Sequence, residues 1–76
     1  MNAKKATIIK SGIKFILINP ERDISLDILN ELFGNKVIKI NSGGFGQFEI
    51  EALNGNENYF QNVESISNLD WENITI

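Results

Sequence analysis

The feature that most constrains the fold is a segment at residues 13–18, in which five of the six residues are apolar. Its Ile, Phe and Leu residues favour a β-strand. Because side chains alternate along a strand, Phe15 and Leu17 would face one side of a sheet. Ile16 and Ile18 would then face the other side. Apolar groups on both faces predict an interior strand that is covered, at least in part, on both sides.

The residues on either side of this segment limit the strand. A second β-rich run at residues 7–10 precedes it, and Ser11-Gly12 lies between the two. A Gly at a two-residue junction between apolar runs predicts a hairpin turn. Asn19-Pro20 follows the segment and ends the strand, because Pro cannot donate a hydrogen bond to a neighbouring strand.

A short helix is predicted at residues 25–33. Ser25 is a typical N-cap residue, and Gly34 is a typical stop signal. Asp23, Ser25 and Asp27 alternate like the first ligands of a calcium loop, but the Gly and the terminal Glu of that motif are missing, so capping explains them better. The apolar residues fall within about 160° of the helix circumference and form a face that needs a sheet to pack on: Leu26, Ile28, Leu29, Leu32 and Phe33.

Two further strands are predicted at residues 36–40 and 45–53. The second alternates cleanly, with Phe48 and Ile50 on one face and Glu49 on the other, which is typical of a strand with one apolar and one polar face. The apolar faces of the two strands coincide only if paired positions sum to an even number.

That parity restricts the hairpin loop between them. A loop over residues 42–44 or 41–45 satisfies the condition, whereas a strict two-residue turn does not. We also expect Lys39 opposite Glu49 as a favourable cross-strand pair.

The C-terminal third leaves one alternative open. Asn54-Gly55 is a strong hairpin signal and predicts a fifth strand at residues 58–63. The apolar residues of segment 59–66 also fit a helical spacing, so a second helix is the rival interpretation. A last short strand is predicted at residues 74–76.

Together these elements predict a single α+β domain of 76 residues. We expect an antiparallel sheet of four to six strands, in the order ββαβββ, with one helix packed on one face. The opposite face is expected to be solvated or to bind a partner, and it would carry Lys39, Gln47, Glu49 and Glu51.

The chain contains neither Cys nor His. Without Cys it has no disulfide, thiolate nucleophile or zinc ribbon. Without His it lacks the usual general base at neutral pH and the commonest metal ligand. An enzyme is therefore the least expected class, and we expect no cofactor and no metal.

The sequence predicts a cytoplasmic protein without membrane contact. The N-terminus lacks the apolar region of a signal peptide. The longest fully apolar run, residues 15–18, is far too short to span a membrane.

Charge is unevenly distributed along the chain, whose net charge is −3. Four lysines precede the first acidic residue, Glu21, and no basic residue follows Lys39. An acidic half without any positive charge disfavours nucleic acid as the ligand. It favours another protein with a basic surface as the partner.

The leading hypothesis is therefore a non-enzymatic protein-binding module of the inhibitor, immunity or adaptor type. A phage-encoded anti-defence inhibitor that mimics nucleic acid would fit this description. The candidate contact residues are acids and aromatics after residue 40: Phe45, Glu49, Glu51, Glu57, Tyr59, Glu64, Asp70, Trp71 and Glu72. The alternative for Tyr59 and Trp71 is that they are core rings under a polar rim, because a domain this small needs its aromatics inside.

Two alternatives remain open. The Gly-rich loop at Ser42, Gly43 and Gly44 could bind a nucleotide or another small molecule, although it lacks the dinucleotide and P-loop fingerprints. The chain could also assemble with itself through an exposed strand edge, as a homo-oligomer.

Overall fold

The chain folds around a β-sheet, and the computed structural model describes residues 1–42, 48–53 and 66–76. The predicted loop tip and the predicted fifth strand or second helix lie outside these ranges, except that Ile66 is described. The described residues form these elements: β1 (Asn2–Lys10), β2 (Ile13–Pro20), α1 (Leu26–Phe33), β3 (Val37–Ser42), β4 (Phe48–Ala52), a 3-10 helix (Ile66–Asn68) and β5 (Glu72–Thr75).

The five described strands lie side by side in the order β4-β3-β2-β1-β5. The α+β class is confirmed, and β2 is the interior strand that its sequence predicts. The sheet is mixed rather than wholly antiparallel, because β2 and β3 run parallel. The chain crosses the sheet through α1 between these two strands, and such a crossover returns it in the same direction.

The predicted hairpin between β1 and β2 is confirmed. Lys10 pairs with Ile13, so Ser11 and Gly12 form a two-residue turn. Both residues have positive φ, 53° for Ser11 and 76° for Gly12. Type I′ turns have this geometry, and its twist matches that of the flanking strands.

Ser11→Asn is expected to raise the free energy of unfolding by roughly 0.5 kcal/mol, because Asn adopts the left-handed conformation more readily than Ser. Urea unfolding monitored by tryptophan fluorescence measures the change. Ser11→Val is the opposite control, because a β-branched residue is strained at this φ and should lower stability. Equal stabilities for the two variants would contradict the assignment of the turn.

The helix has the predicted ends. The Ser25 hydroxyl accepts a hydrogen bond from the Ile28 N–H at 3.3 Å, and Gly34 ends the helix with φ of 96°. The apolar face is narrower than predicted, however. Leu26 and Leu29 are buried, whereas Ile28 and Leu32 are exposed to solvent.

Apolar packing covers both faces of the sheet. Under α1 lies a cluster formed by Ala3, Ile18, Leu26, Leu29 and Val37. On the opposite face, Ile66 of the 3-10 helix packs against buried residues of the strands: Ala6, Phe15, Leu17, Ile38 and Ile40.

The expectation that Lys39 lies on the face opposite the helix is wrong. Lys39 pairs with Ile18 in the parallel register, so it shares the face of Ile18, which packs against α1. It also pairs with Glu51, which places that glutamate on the helix side as well. Alternation along a strand separates the two faces but does not say which of them the helix will cover.

Candidate functional site

The central feature of the candidate site is a buried lysine on β3. Lys39 is only 4% exposed. Its Nζ donates a hydrogen bond to Asp23 Oδ1 at 2.6 Å and lies 3.6 Å from Glu51 Oε2. Asp23 belongs to the segment between β2 and α1, and Glu51 to β4, so the lysine joins three parts of the chain.

The strand register explains how Glu51 reaches the lysine. Lys39 lies opposite Glu51, two positions from the predicted partner Glu49. The paired positions do sum to an even number, as the apolar alternation requires. The predicted register was wrong by two residues on β4, and β3 extends to Ser42 rather than ending at residue 40.

The positive charge of the site is buried, and its two negative charges are exposed to solvent. The Lys39 side chain is 6% exposed, whereas those of Asp23 and Glu51 are 90% and 58% exposed. Glu49 is also exposed and lies on the same face, two residues along β4. We call Asp23, Glu49 and Glu51 the acidic surface.

The ion pair also affects protonation at this surface. The hydrogen bond from Lys39, followed by its positive charge, lowers the pKa of the Asp23 carboxyl below its ordinary value. Asp23 therefore stays ionised at a pH at which an isolated aspartate begins to protonate.

The remaining described candidates lie at the far edge of the sheet. Asp70, Trp71 and Glu72 precede or begin β5, and Glu72 forms a partly exposed ion pair with Lys5 at 3.1 Å. Four strand spacings separate β4 from β5, which corresponds to roughly 19 Å. The acids of the C-terminal half that the structure describes therefore lie on two separate surfaces.

Trp71 belongs largely to the core. Its ring is half-buried and packs against the cluster that contains Phe15. The indole Nε1 donates a hydrogen bond to the Ile66 carbonyl oxygen at 2.8 Å. This bond connects the 3-10 helix to the segment that enters β5.

Several candidates stay predictions because they lie outside the described residues: Gly43, Gly44, Phe45, Glu57, Tyr59 and Glu64. Ser42 is the last residue of β3. Gly43 and Gly44 follow it directly in the sequence.

Asp23 is the site residue that the sequence interpretation missed. The sequence pattern favours a capping role for Asp23 as well as Ser25, but Ser25 alone is the N-cap of α1. Asp23 and Lys39 are 16 residues apart, and only the helical crossover brings them together. No local motif marks such a pair.

Within residues 1–42, 48–53 and 66–76, no three acidic side chains are grouped so that they could hold a metal ion. None of the helices in these ranges is long and apolar enough to cross a membrane. Comparisons of the chain with protein-family models, curated proteins and solved structures found no match.

Proposed function

We propose that the protein is a non-enzymatic binding module that contacts a basic surface of another protein through its acidic surface. The observation that carries the proposal is the burial of Lys39 beneath exposed Asp23 and Glu51. A partner approaching this side meets the carboxylates, while the cation that holds them in place is shielded. The proposed class is an inhibitor, immunity or adaptor protein acting in the cytoplasm.

The arrangement suits electrostatic recognition. Complementary charge speeds the encounter of two proteins and selects against wrong partners. Exposed carboxylates can also occupy a basic groove in place of phosphates. An anti-defence inhibitor encoded by a phage, which blocks a nucleic-acid-binding protein, is the most specific form of this proposal.

The test captures partners from a lysate of the source cells on immobilised protein. Bound proteins are eluted with increasing salt and identified by mass spectrometry. We expect basic proteins to be retained at low salt and released by about 0.5 M salt, where the Debye length falls to a few ångström. Retention that does not depend on salt would contradict electrostatic recognition.

Two variants with the same change in net charge locate the contact surface. Glu49→Lys reverses a charge on the acidic surface, and Asp70→Lys reverses one near the opposite edge. We expect Glu49→Lys to weaken retention about tenfold or more, because like charges across an interface cost several kcal/mol. Asp70→Lys should change it little. Equal losses would point to net charge alone rather than to the acidic surface.

A further inference from the structure

The two edge strands of the described sheet differ in how they are protected. β4 carries two exposed glutamates, Glu49 and Glu51. β5 carries one acid, Glu72, whose charge is paired with Lys5 at 3.1 Å. Its remaining residues, Asn73, Ile74 and Thr75, are uncharged. Charged residues and Pro are the usual protection of an edge against pairing with another strand, and residues 73–75 contain neither.

The backbone of β5 presents hydrogen-bonding groups outward. The Ile76 N–H donates to the Met1 carbonyl oxygen at 2.7 Å, so this pair is directly hydrogen-bonded. Hydrogen-bonded and non-hydrogen-bonded pairs alternate in an antiparallel ladder. The N–H and C=O of Asn73 and of Thr75 must then point away from β1.

A second hydrogen bond supports this alternation. The Asn2 carbonyl oxygen accepts a hydrogen bond from the Glu21 N–H at 3.0 Å. The backbone N–H and C=O of Asn2 thus point toward β2. Its neighbour Thr75 therefore makes no backbone hydrogen bond to Asn2. Among the described residues no strand lies beyond β5. A groove of about 480 Å³ is lined by residues of both β1 and β5: Asn2, Ala3, Asn73, Ile74 and Thr75.

We propose that β5 pairs antiparallel with β5 of a second copy of this chain, about a two-fold axis at Ile74. In this register Asn73 lies opposite the partner's Thr75, and the reciprocal pair forms on the other side of the axis. The outward groups then form four backbone hydrogen bonds between the copies. The two sheets join into one, which removes both β5 edges.

The sequence of β5 is self-complementary in this register. Ile74 meets the partner's Ile74 on the helix face, and the polar Asn and Thr side chains face each other on the opposite face. Glu72 lies opposite the partner's Ile76, so no like charges are directly opposed. A two-fold axis also closes the assembly at two copies. This self-complementarity favours a second copy of the chain over a strand of another protein.

The dimer is expected to be weak, because a four-residue strand buries less area than a standard stable interface. It has a consequence for the acidic surface. Since β4 lies at the edge opposite β5, the two acidic surfaces would lie at opposite ends of the joined sheet. The dimer would therefore present two separate sites.

Sedimentation equilibrium of the purified chain tests the proposal at concentrations from about 10 µM to about 1 mM, which cover a weak dimer. The mass is expected to rise from 8.6 kDa toward twice that value. Thr75→Pro should remain at 8.6 kDa, because it removes an outward N–H while leaving the pairing with β1 intact. Thr75→Val retains the N–H and should associate like the original chain.

Amide hydrogen exchange provides a second readout that needs no variant. Protection of the Asn73 and Thr75 N–H groups should increase with protein concentration. A mass that stays at 8.6 kDa at about 1 mM, with exchange at both amides independent of concentration, would overturn the proposal. Association of Thr75→Pro to the same extent as the original chain would also overturn it.

Discussion

Phe15→Ala is expected to remove a large part of the free energy of unfolding of the domain. Phe15 is fully buried in the cluster on the face opposite α1. Replacing a buried Phe with Ala costs about 3–5 kcal/mol, because it removes apolar contacts and leaves a cavity. A chain of this length has a total stability of only roughly 4–11 kcal/mol. Urea unfolding and far-UV circular dichroism measure the loss.

Ile9→Thr is the control for this prediction. Ile9 lies on β1 next to the residue that pairs with Phe15 and is 74% exposed. Thr keeps the β-branched shape, so the change in stability should stay within about 0.5 kcal/mol. If Phe15→Ala cost no more than Ile9→Thr, the face opposite α1 would not be the core that the structure describes.

The second prediction concerns the buried lysine. Lys39→Met is expected to change stability by less than about 1 kcal/mol, because Met fills a similar volume and removes the burial of a charge. Lys39→Ala should cost about 2 kcal/mol or more, because it leaves a cavity where the buried lysine stem packed. Both variants leave Asp23 and Glu51 exposed to water, so neither variant leaves a buried carboxylate without a partner. Urea unfolding at neutral pH compares them.

Acidification distinguishes the charge of Lys39 from its packing. The lowered pKa of Asp23 contributes stability that is present above the ordinary pKa of the carboxyl and is lost as the pH falls through the lowered value. Lys39→Met removes this contribution, so the original chain should lose more stability on acidification than the variant does. NMR titration should also show the pKa of Asp23 rising in Lys39→Met. If Lys39→Met were as unstable as Lys39→Ala, the prediction would be wrong, and the ion pair rather than the packing of the lysine stem would stabilise the fold.

The local signals in the sequence predicted single elements well. The Ser11-Gly12 turn, the Ser25 cap and the Gly34 stop all depend on conformations or hydrogen bonds formed within a few residues. The position of β2 inside the sheet followed from apolar residues on both of its faces. These features need no knowledge of distant parts of the chain.

The candidate site was predicted only in part. Glu49 and Glu51 were recognised as acids on a polar strand face, but their connection with Asp23 was not. That connection depends on the crossover through α1 and on the register between β3 and β4. Neither is contained in the spacing of the residues involved.

The sequence by itself determined that this is a small acidic α+β domain without Cys or His, and it determined the β1–β2 turn and both ends of α1. Only the tertiary structure decided that β2 and β3 run parallel, that α1 covers the face of Lys39, and that the described acids of the C-terminal half lie at opposite edges of the sheet. The physical reason is that hydrogen bonding and side-chain alternation act over a few residues. Strand order and face coverage instead depend on how distant apolar surfaces pack together.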